Sequence, residues 1–352
     1  MKRRVIQWAT GGVGRAAIAG ILAHPDLSLA GCWVHSQDKA GRDAGELCGL
    51  DTVGVTASND IDALLELDAD CVLYSPIMAD PTLVARLLAS GKNVVTPLNW
   101  FFPGERDVSM LEDACRTGNT SLHGTGIHPG GITERFPLMI SALSSAITHV
   151  RAEEFSDIRT YGAPDVISNI MLFGKTPEQA AASPMVKFLG QGFLQSMDMV
   201  ATELGFAVDS QPTSCHEVAV ATRPIESPIG TIETGLVAAQ RFTWQHTVRG
   251  EPVITVRVNW LMGQENLEPA WNFGPEGERF EVEIKGDPSS HVSFHGWHPE
   301  SIAAGLTRNP GIVATANHCV SAIPYVCDAA PGIRTYLDLP MIAGRAAPNL
   351  AR

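Results

Sequence analysis

Three small residues near the N-terminus are spaced for the most specific chemistry in this chain. In Ala9-Thr10-Gly11-Gly12-Val13-Gly14, positions 9, 11 and 14 follow G-x-G-x-x-G with alanine in the first place. Where such a turn joins a strand to a helix, the second glycine lets the backbone approach a pyrophosphate. The third lets the helix pack close to the strand, and the free N–H groups of the helix face the phosphates. On this reading Thr10, Gly11, Gly12, Val13 and Gly14 hold a dinucleotide; the alternative is a tight turn with no ligand. The end of the second strand selects the dinucleotide. A carboxylate there binds the ribose hydroxyls of NAD. This chain has His35, Ser36 and Gln37 instead, then Asp38, with Lys39 and Arg42 behind. Neutral residues beside cations lean towards the 2′-phosphate of NADP, Asp38 keeps NAD possible, and Lys39 and Arg42 also fit a solvated loop. His291, His295 and His298 raise a metal reading, but no cysteine or carboxylate completes a set and no metal is expected.

These residues need a frame, and the first 125 positions supply one. Residues 4–8 read as a short buried strand, 15–23 as a helix with Ile18, Ile21 and Leu22 on one side, and 27–34 as the second strand. Further short strands are expected at 53–56, 71–75, 93–96 and 121–123. Helices are expected between them, one capped by Asp80 with Pro81 at its first position. Alternating strands and helices mean a doubly wound parallel sheet of the Rossmann kind, with ligands at the carboxyl ends of the strands. The loops holding Ser75 and Pro76, Thr96, and Gly126 are then expected to frame a nicotinamide. From about Phe136 the texture changes to a long helix at 185–204 and long alternating strands at 214–221, 235–248, 253–262 and 279–285, with 291–295 as an extension. This predicts a second, α+β domain on an antiparallel sheet. Expected boundaries are 1–135 for the dinucleotide domain and 136–304 for a substrate and dimerisation domain, with 305–352 packing back on the first.

Bulk composition sets outer limits. The chain has 352 residues, 45% hydrophobic, 18% charged, with a net charge of −13. That balance argues against a nucleic-acid groove, which needs a basic surface. No long apolar run suggests a membrane span. The motif begins too near Met1 to survive cleavage of a leader, so none is expected. Seven cysteines with no C-x-x-C read as free thiols in a reducing cytoplasm. The expected partners are a small-molecule substrate and a second copy in a homodimer.

Two resemblances refine this. Gly41-Arg42-Asp43-Ala44-Gly45-Glu46-Leu47-Cys48-Gly49, followed by Gly54-Val55-Thr56, resembles the N-terminal domain of dihydrodipicolinate reductases, which reduce a cyclic imine with NAD(P)H. Their His-His-x-His-Lys cluster has no counterpart here, because no two histidines are adjacent. Gly263-Gln264, Leu267-Glu268-Pro269 with Trp271, and the Ala-Ala-Pro-Gly-Ile tail resemble, over the full length, a reductase-like family that includes NAD(P)H-dependent amine dehydrogenases and 2,4-diaminopentanoate dehydrogenases. In those amine dehydrogenases a glutamate after the strand that here ends at Thr96 holds the ammonium and shuttles protons. The matching position falls at Leu98 or Asn99, and neither is acidic. Glu105 is a substitute or a solvent-facing residue at a helix start. The stretch flanked by His123 and His128 matches the one that approaches the nicotinamide, so either histidine is a candidate proton donor or a backbone ligand. Trp100, Phe101 and Phe102 are the aromatic residues expected to line an apolar pocket. The implied activity is hydride transfer to a C=N or C=O carbon of a small substrate, by an amine dehydrogenase- or imine reductase-like enzyme; the alternative is a non-catalytic NAD(P)-binding sensor.

Overall fold

Val5, Ile6 and Trp8 are apolar on both sides of one short strand, which suits a sheet covered on both faces. In the computed structural model, which describes residues 2–271, 273–274, 277–296, 309–347 and 350, this is strand β1 (Arg3–Trp8). It leads through the glycine turn into α1 (Gly12–Ala23), and the alternation continues with β2 (Leu27–Trp33), β3 (Ala57–Ser58) and α2 (Ile61–Glu66). Next come β4 (Cys71–Tyr74), α3 (Pro81–Ala89), β5 (Asn93–Thr96), α4 (Ser109–Gly118) and β6 (Ser121–Gly124). The Asp80 carboxylate caps α3 by accepting from Thr82 N and Leu83 N. The strand expected at 53–56 forms just after that stretch, at Ala57–Ser58. Val53 and Gly54 instead donate their amides to Asp43, whose carboxylate staples the loop that resembles the reductases.

The chain then changes character. Helix α5 (Phe136–Ser141) precedes β7 (Ser145–Asp157), and α6 (Pro164–Asn169), α7 (Pro177–Ala181) and the long α8 (Met185–Leu204) follow. Gly205, at φ +74, ends α8 in the left-handed conformation that glycine adopts without strain. Strands β8 (Thr213–Ala221), β9 (Ile225–Ser227), β10 (Gly230–Ile232), β11 (Val237–Val248), β12 (Glu251–Leu261), β13 (Leu267–Glu268), β14 (Arg279–Asp287) and β15 (Ser290–His295) come next. The chain closes with α9 (Pro310–Cys327) and β16 (Gly332–Ile333).

Two compact units result, residues 1–130 with 312–352, and residues 131–311. The first holds an all-parallel sheet in the order β16-β6-β5-β4-β1-β2-β3. Val5, Leu73 and Val95 meet α1 and α9 on one face; Ile6, Val72 and Val94 meet α3 and α4 on the other. The second unit's sheet runs β13-β8-β11-β12-β7-β14-β15. It is antiparallel as expected except at its centre, where β12 lies parallel to β7 with Ile254 opposite Val150. The helical crossover between β7 and β8 returns the chain to the end where β7 began, and two hairpin connections then leave β12 in the direction of β7. Phe242 and Trp244 face α8, whose Phe193 stacks on Trp244 at 4.8 Å. The opposite face is an ion-paired layer. Arg151 bonds Glu281 at 2.9 Å and Glu283 at 3.0 Å, and the Asn259 amide donates to Glu153 at 3.0 Å.

Candidate active site

The glycine turn is the tightest point of the first unit. A methyl in place of the Gly14 hydrogen would lie 2.0 Å from Ala9 O, so only glycine lets α1 start this close to β1. Ala9 has φ +76, the left-handed region where alanine is strained. Buried Gln7 holds that strained carbonyl: its Nε2 donates to Ala9 O and to Ser75 Oγ, each at 2.9 Å. Gly11 is different. A side chain there would meet nothing within 4 Å, and Gly11 is exposed. Helix α1 has no side-chain cap and no acid in its first turn. An uncapped helix start beside an open glycine fits a dinucleotide pyrophosphate.

At the end of β2 one of the predicted residues reaches the turn. Lys39 Nζ lies 3.5 Å from Thr10 Oγ1, bringing a cation back to the glycine turn. His35 and Arg42 are exposed. A hydrogen bond from Ser36 lowers the Asp38 pKa, aided by its own backbone and by Lys39 and Arg42.

The loop after β4 is tied to the glycine turn, and the loops after β5 and β6 are tied to each other. Ser75 joins the turn through Gln7, and Pro76 follows half-buried. Thr96 O accepts from Thr125 N at 2.8 Å. A methyl on Gly124 would fall 2.2 Å from Asn99 O, so the β5 and β6 loops touch backbone to backbone. The Asn99 side chain accepts from Trp100 N at 2.9 Å, a bond within its own loop. Trp100, expected to line a pocket, packs into the core with Ile6 and Trp8, and Phe101 is also buried; both are structural because the loop folds inward over β5. Phe102 is half-buried, and Glu105 is exposed in the turn before α4 rather than at its start. His123 is wholly buried, its Nδ1 2.6 Å from Arg334 O. His128 is half-buried in the loop that follows Gly126. So Lys39 and Ser75 join the turn at Thr10 to Gly14 and Thr96 joins the Gly126 loop, while Arg42, Glu105 and His35 stand at the surface. Of the three histidines weighed for a metal, His291 and His295 are exposed and His298 lies outside the described residues; no metal-binding group of three occurs among the described residues.

Sequence reasoning missed three participants. Gln7 was signalled by its polarity within an apolar strand. His318 and Tyr336 carried no local signal, since their partners lie some 200 positions earlier. In the second unit a cavity of about 390 Å³ is lined in part by Ser156, Asp157, Arg159, Gln264 and Glu278. Asp157 is paired with Arg159, whose Nε donates at 2.9 Å. Glu278 is 4% exposed and neither carboxyl oxygen has a hydrogen bond of good geometry. Its burial, with Asp157 and Glu154 adding negative charge, pushes it up to about 8. Burial likewise pushes Glu154 to about 7, against hydrogen bonds from Ser156 and Trp260.

The fold and turn together define a two-unit dinucleotide-binding protein, and similarity to known proteins narrows the class. Residues 133–348 match the 2,4-diaminopentanoate dehydrogenase C-terminal domain. The chain is 31% identical over 350 residues to an amine dehydrogenase of Streptomyces virginiae, covering 96% of each. It is 23% identical over 237 residues to a 2,4-diaminopentanoate dehydrogenase of Acetoanaerobium sticklandii, covering 66% of this chain and 60% of that one. The structure of an amine dehydrogenase from Mycobacterium smegmatis shares the fold, with a TM-score of 0.76 at 21% identity over 98% of both chains. The chain belongs to this family of amine and diaminopentanoate dehydrogenases and is an NAD(P)-dependent oxidoreductase.

Glu278 makes stability depend on pH. Its folded pKa lies above the ordinary 4.5, so the folded protein keeps a proton that the unfolded chain releases. The stability contribution is therefore complete below about pH 4.5 and lost as pH rises towards 8. Glu278→Gln is expected to melt a few degrees above the parent at pH 9 and level with it at pH 5. Equal melting temperatures at both pH values would contradict a carboxyl whose burial raises its pKa.

Proposed function

We propose that the protein reduces a C=N or C=O bond of a small, fairly apolar substrate with NADPH. The observation that carries this is the open, uncapped glycine turn, with the β4 loop tethered to it through Gln7 and the β5 and β6 loops braced against each other. In this reading the amides at residues 11–14 and Thr10 hold the pyrophosphate. Lys39, Ser36 and Arg42, with His35, face the adenosine ribose, and the cations there favour a 2′-phosphate. Ser75, Pro76, Thr96 and Gly126 frame the nicotinamide. When bound, the cofactor supplies the hydride. The chain's own residues orient the acceptor and manage its proton. Asn99 polarises a carbonyl or imine but moves no proton, because an amide does not titrate near neutrality. His128 is the better proton donor, since it shares the Gly126 loop, and Glu105 is the reserve. No residue from 97 to 104 is acidic. We therefore read the activity as reduction of a ready-made imine or a carbonyl, with poor amination from ketone and ammonia.

We also infer a homodimer in the cytoplasm. All seven cysteines are thiols, and the second unit's sheet carries its ion-paired layer on the face opposite α8. No helix among the described residues is long and apolar enough to cross a membrane. Sedimentation velocity checks the assembly.

Binding and turnover measurements test this reading. Gly11→Asp keeps its backbone conformation at φ −70 and meets no neighbour, so it is expected to fold while weakening NADPH binding roughly a hundredfold through like charge. NADPH is expected to bind more tightly than NADH; the reverse order would assign the ribose to Asp38. A panel of cyclic imines, carbonyls, and ketones with ammonia is then expected to show reduction of the first two and weak amination, which Asn99→Glu raises. Robust amination by the parent would contradict the reading, as would an Asn99→Glu variant that binds cofactor normally and aminates no better.

A further inference from the structure

The segment from Ile312 to Tyr336 reaches both ends of the candidate cofactor site within the first unit. Near its start, α9 touches the glycine turn, where a methyl on Gly12 would fall 2.9 Å from Ile312 Cδ1. Farther along, the same helix holds the loop after β6. A methyl on Gly126 would lie 3.6 Å from Thr315 Cγ2, and Cys319 Sγ is 3.8 Å from Thr125 O. Residues 312, 315 and 319 share one helix face. His318, alongside, donates from Nδ1 to Gly126 O at 2.6 Å, and the carbonyl partner assigns the proton to that nitrogen. Past β16, Tyr336 completes the contact. Its hydroxyl bonds Thr125 Oγ1, and its ring stacks on His318 at 5.6 Å and 21° and meets His123 edge-on at 5.1 Å. Gly130, at φ +128, lies beside the Tyr336 hydroxyl, which is 3.7 Å from where a methyl would sit.

From this geometry we propose that His318 and Tyr336 are positioning residues. They fix loop 125–130 in the conformation that receives the nicotinamide half of the cofactor, and α9 links that loop to the glycine turn. The inference rests on the cofactor placement proposed above. Thr125 is wholly buried, so removing the phenol hydroxyl takes away a hydrogen-bond partner that water cannot replace. The Gly126 carbonyl depends on His318 in the same way. Loss of either anchor loosens residues 125 and 126, while the glycine turn keeps its own support, the Gln7 amide on Ala9 O.

The test separates the two halves of the ligand by calorimetry. One probe is NADPH or NADH, whichever the parent binds more tightly. The other is the matching 2′-phospho-ADP-ribose or ADP-ribose, which lacks the nicotinamide. Tyr336→Phe and His318→Ala are expected to weaken the full cofactor about tenfold and to leave the truncated probe within about twofold, which also reports that the variants fold. His318→Asn, which keeps a donor for the Gly126 carbonyl, is expected to restore most of the loss. Equal weakening of both probes would mean a general structural role and overturn the inference. So would variants that bind both probes as the parent does. A parent that binds neither probe would overturn the cofactor reading, and the inference with it.

Discussion

The carbonyl oxygen of Ala9 is the point on which the first unit turns. It leaves room for α1 only because residue 14 has no side chain, and it projects there only because Ala9 takes a left-handed φ of +76. An L-residue in that region costs about 1 kcal/mol, and the surroundings hold it in place. Ala9 N donates to Trp33 O at 2.9 Å, and the Gln7 amide grips the carbonyl from below. Everything proposed for cofactor binding follows from this approach. Move α1 away by an ångström and its first amides no longer meet the ends of β1 and β4, where Ser75 is tethered to the same glutamine.

The second constraint acts on the loops. Chemistry at a nicotinamide needs two surfaces fixed relative to each other, one for the phosphates and one for the reacting ring. Loops alone are poor at this because their backbone groups are held by few bonds. Here the β5 and β6 loops brace each other through Thr96 and Gly124, and α9 supplies a stiff element that touches both the Gly126 loop and the turn. The chain shares the fold of an amine dehydrogenase from Mycobacterium smegmatis. Leu98 and Asn99 stand where that resemblance puts a carboxylate, inside a loop whose backbone contacts still constrain it.

What the residue pattern reveals, and what it hides, follows from how local each interaction is. The glycine turn was legible because its three constraints fall within six residues. Helix α8 was legible to the residue, since its apolar period ends at a glycine that only a helix terminus needs. For the second sheet, alternation identified the long strands and the faces of β12 but neither the short β13 nor the neighbours of β12, so the parallel pairing with β7 went unseen: period two records which side is buried, not which way the next strand runs. Trp100 misled because three aromatics in a loop look like a pocket lining, whereas the loop folds inward and uses the indole as core. His318 and Tyr336 were invisible for a different reason. Nothing near them in the chain marks them, and only the closure of residues 312–352 onto the first unit brings them to Thr125.

The central claim is that the glycine turn and the Gly126 loop belong to one nicotinamide dinucleotide site. A crystal structure of the protein with NADPH tests it most directly. The account predicts the pyrophosphate within hydrogen-bonding reach of the amides of Gly12 and Val13, the 2′-phosphate near Lys39, and the nicotinamide against Thr96 and Gly126. Density for the dinucleotide away from the glycine turn, or a nicotinamide that leaves the Thr96 and Gly126 loops untouched, would contradict it.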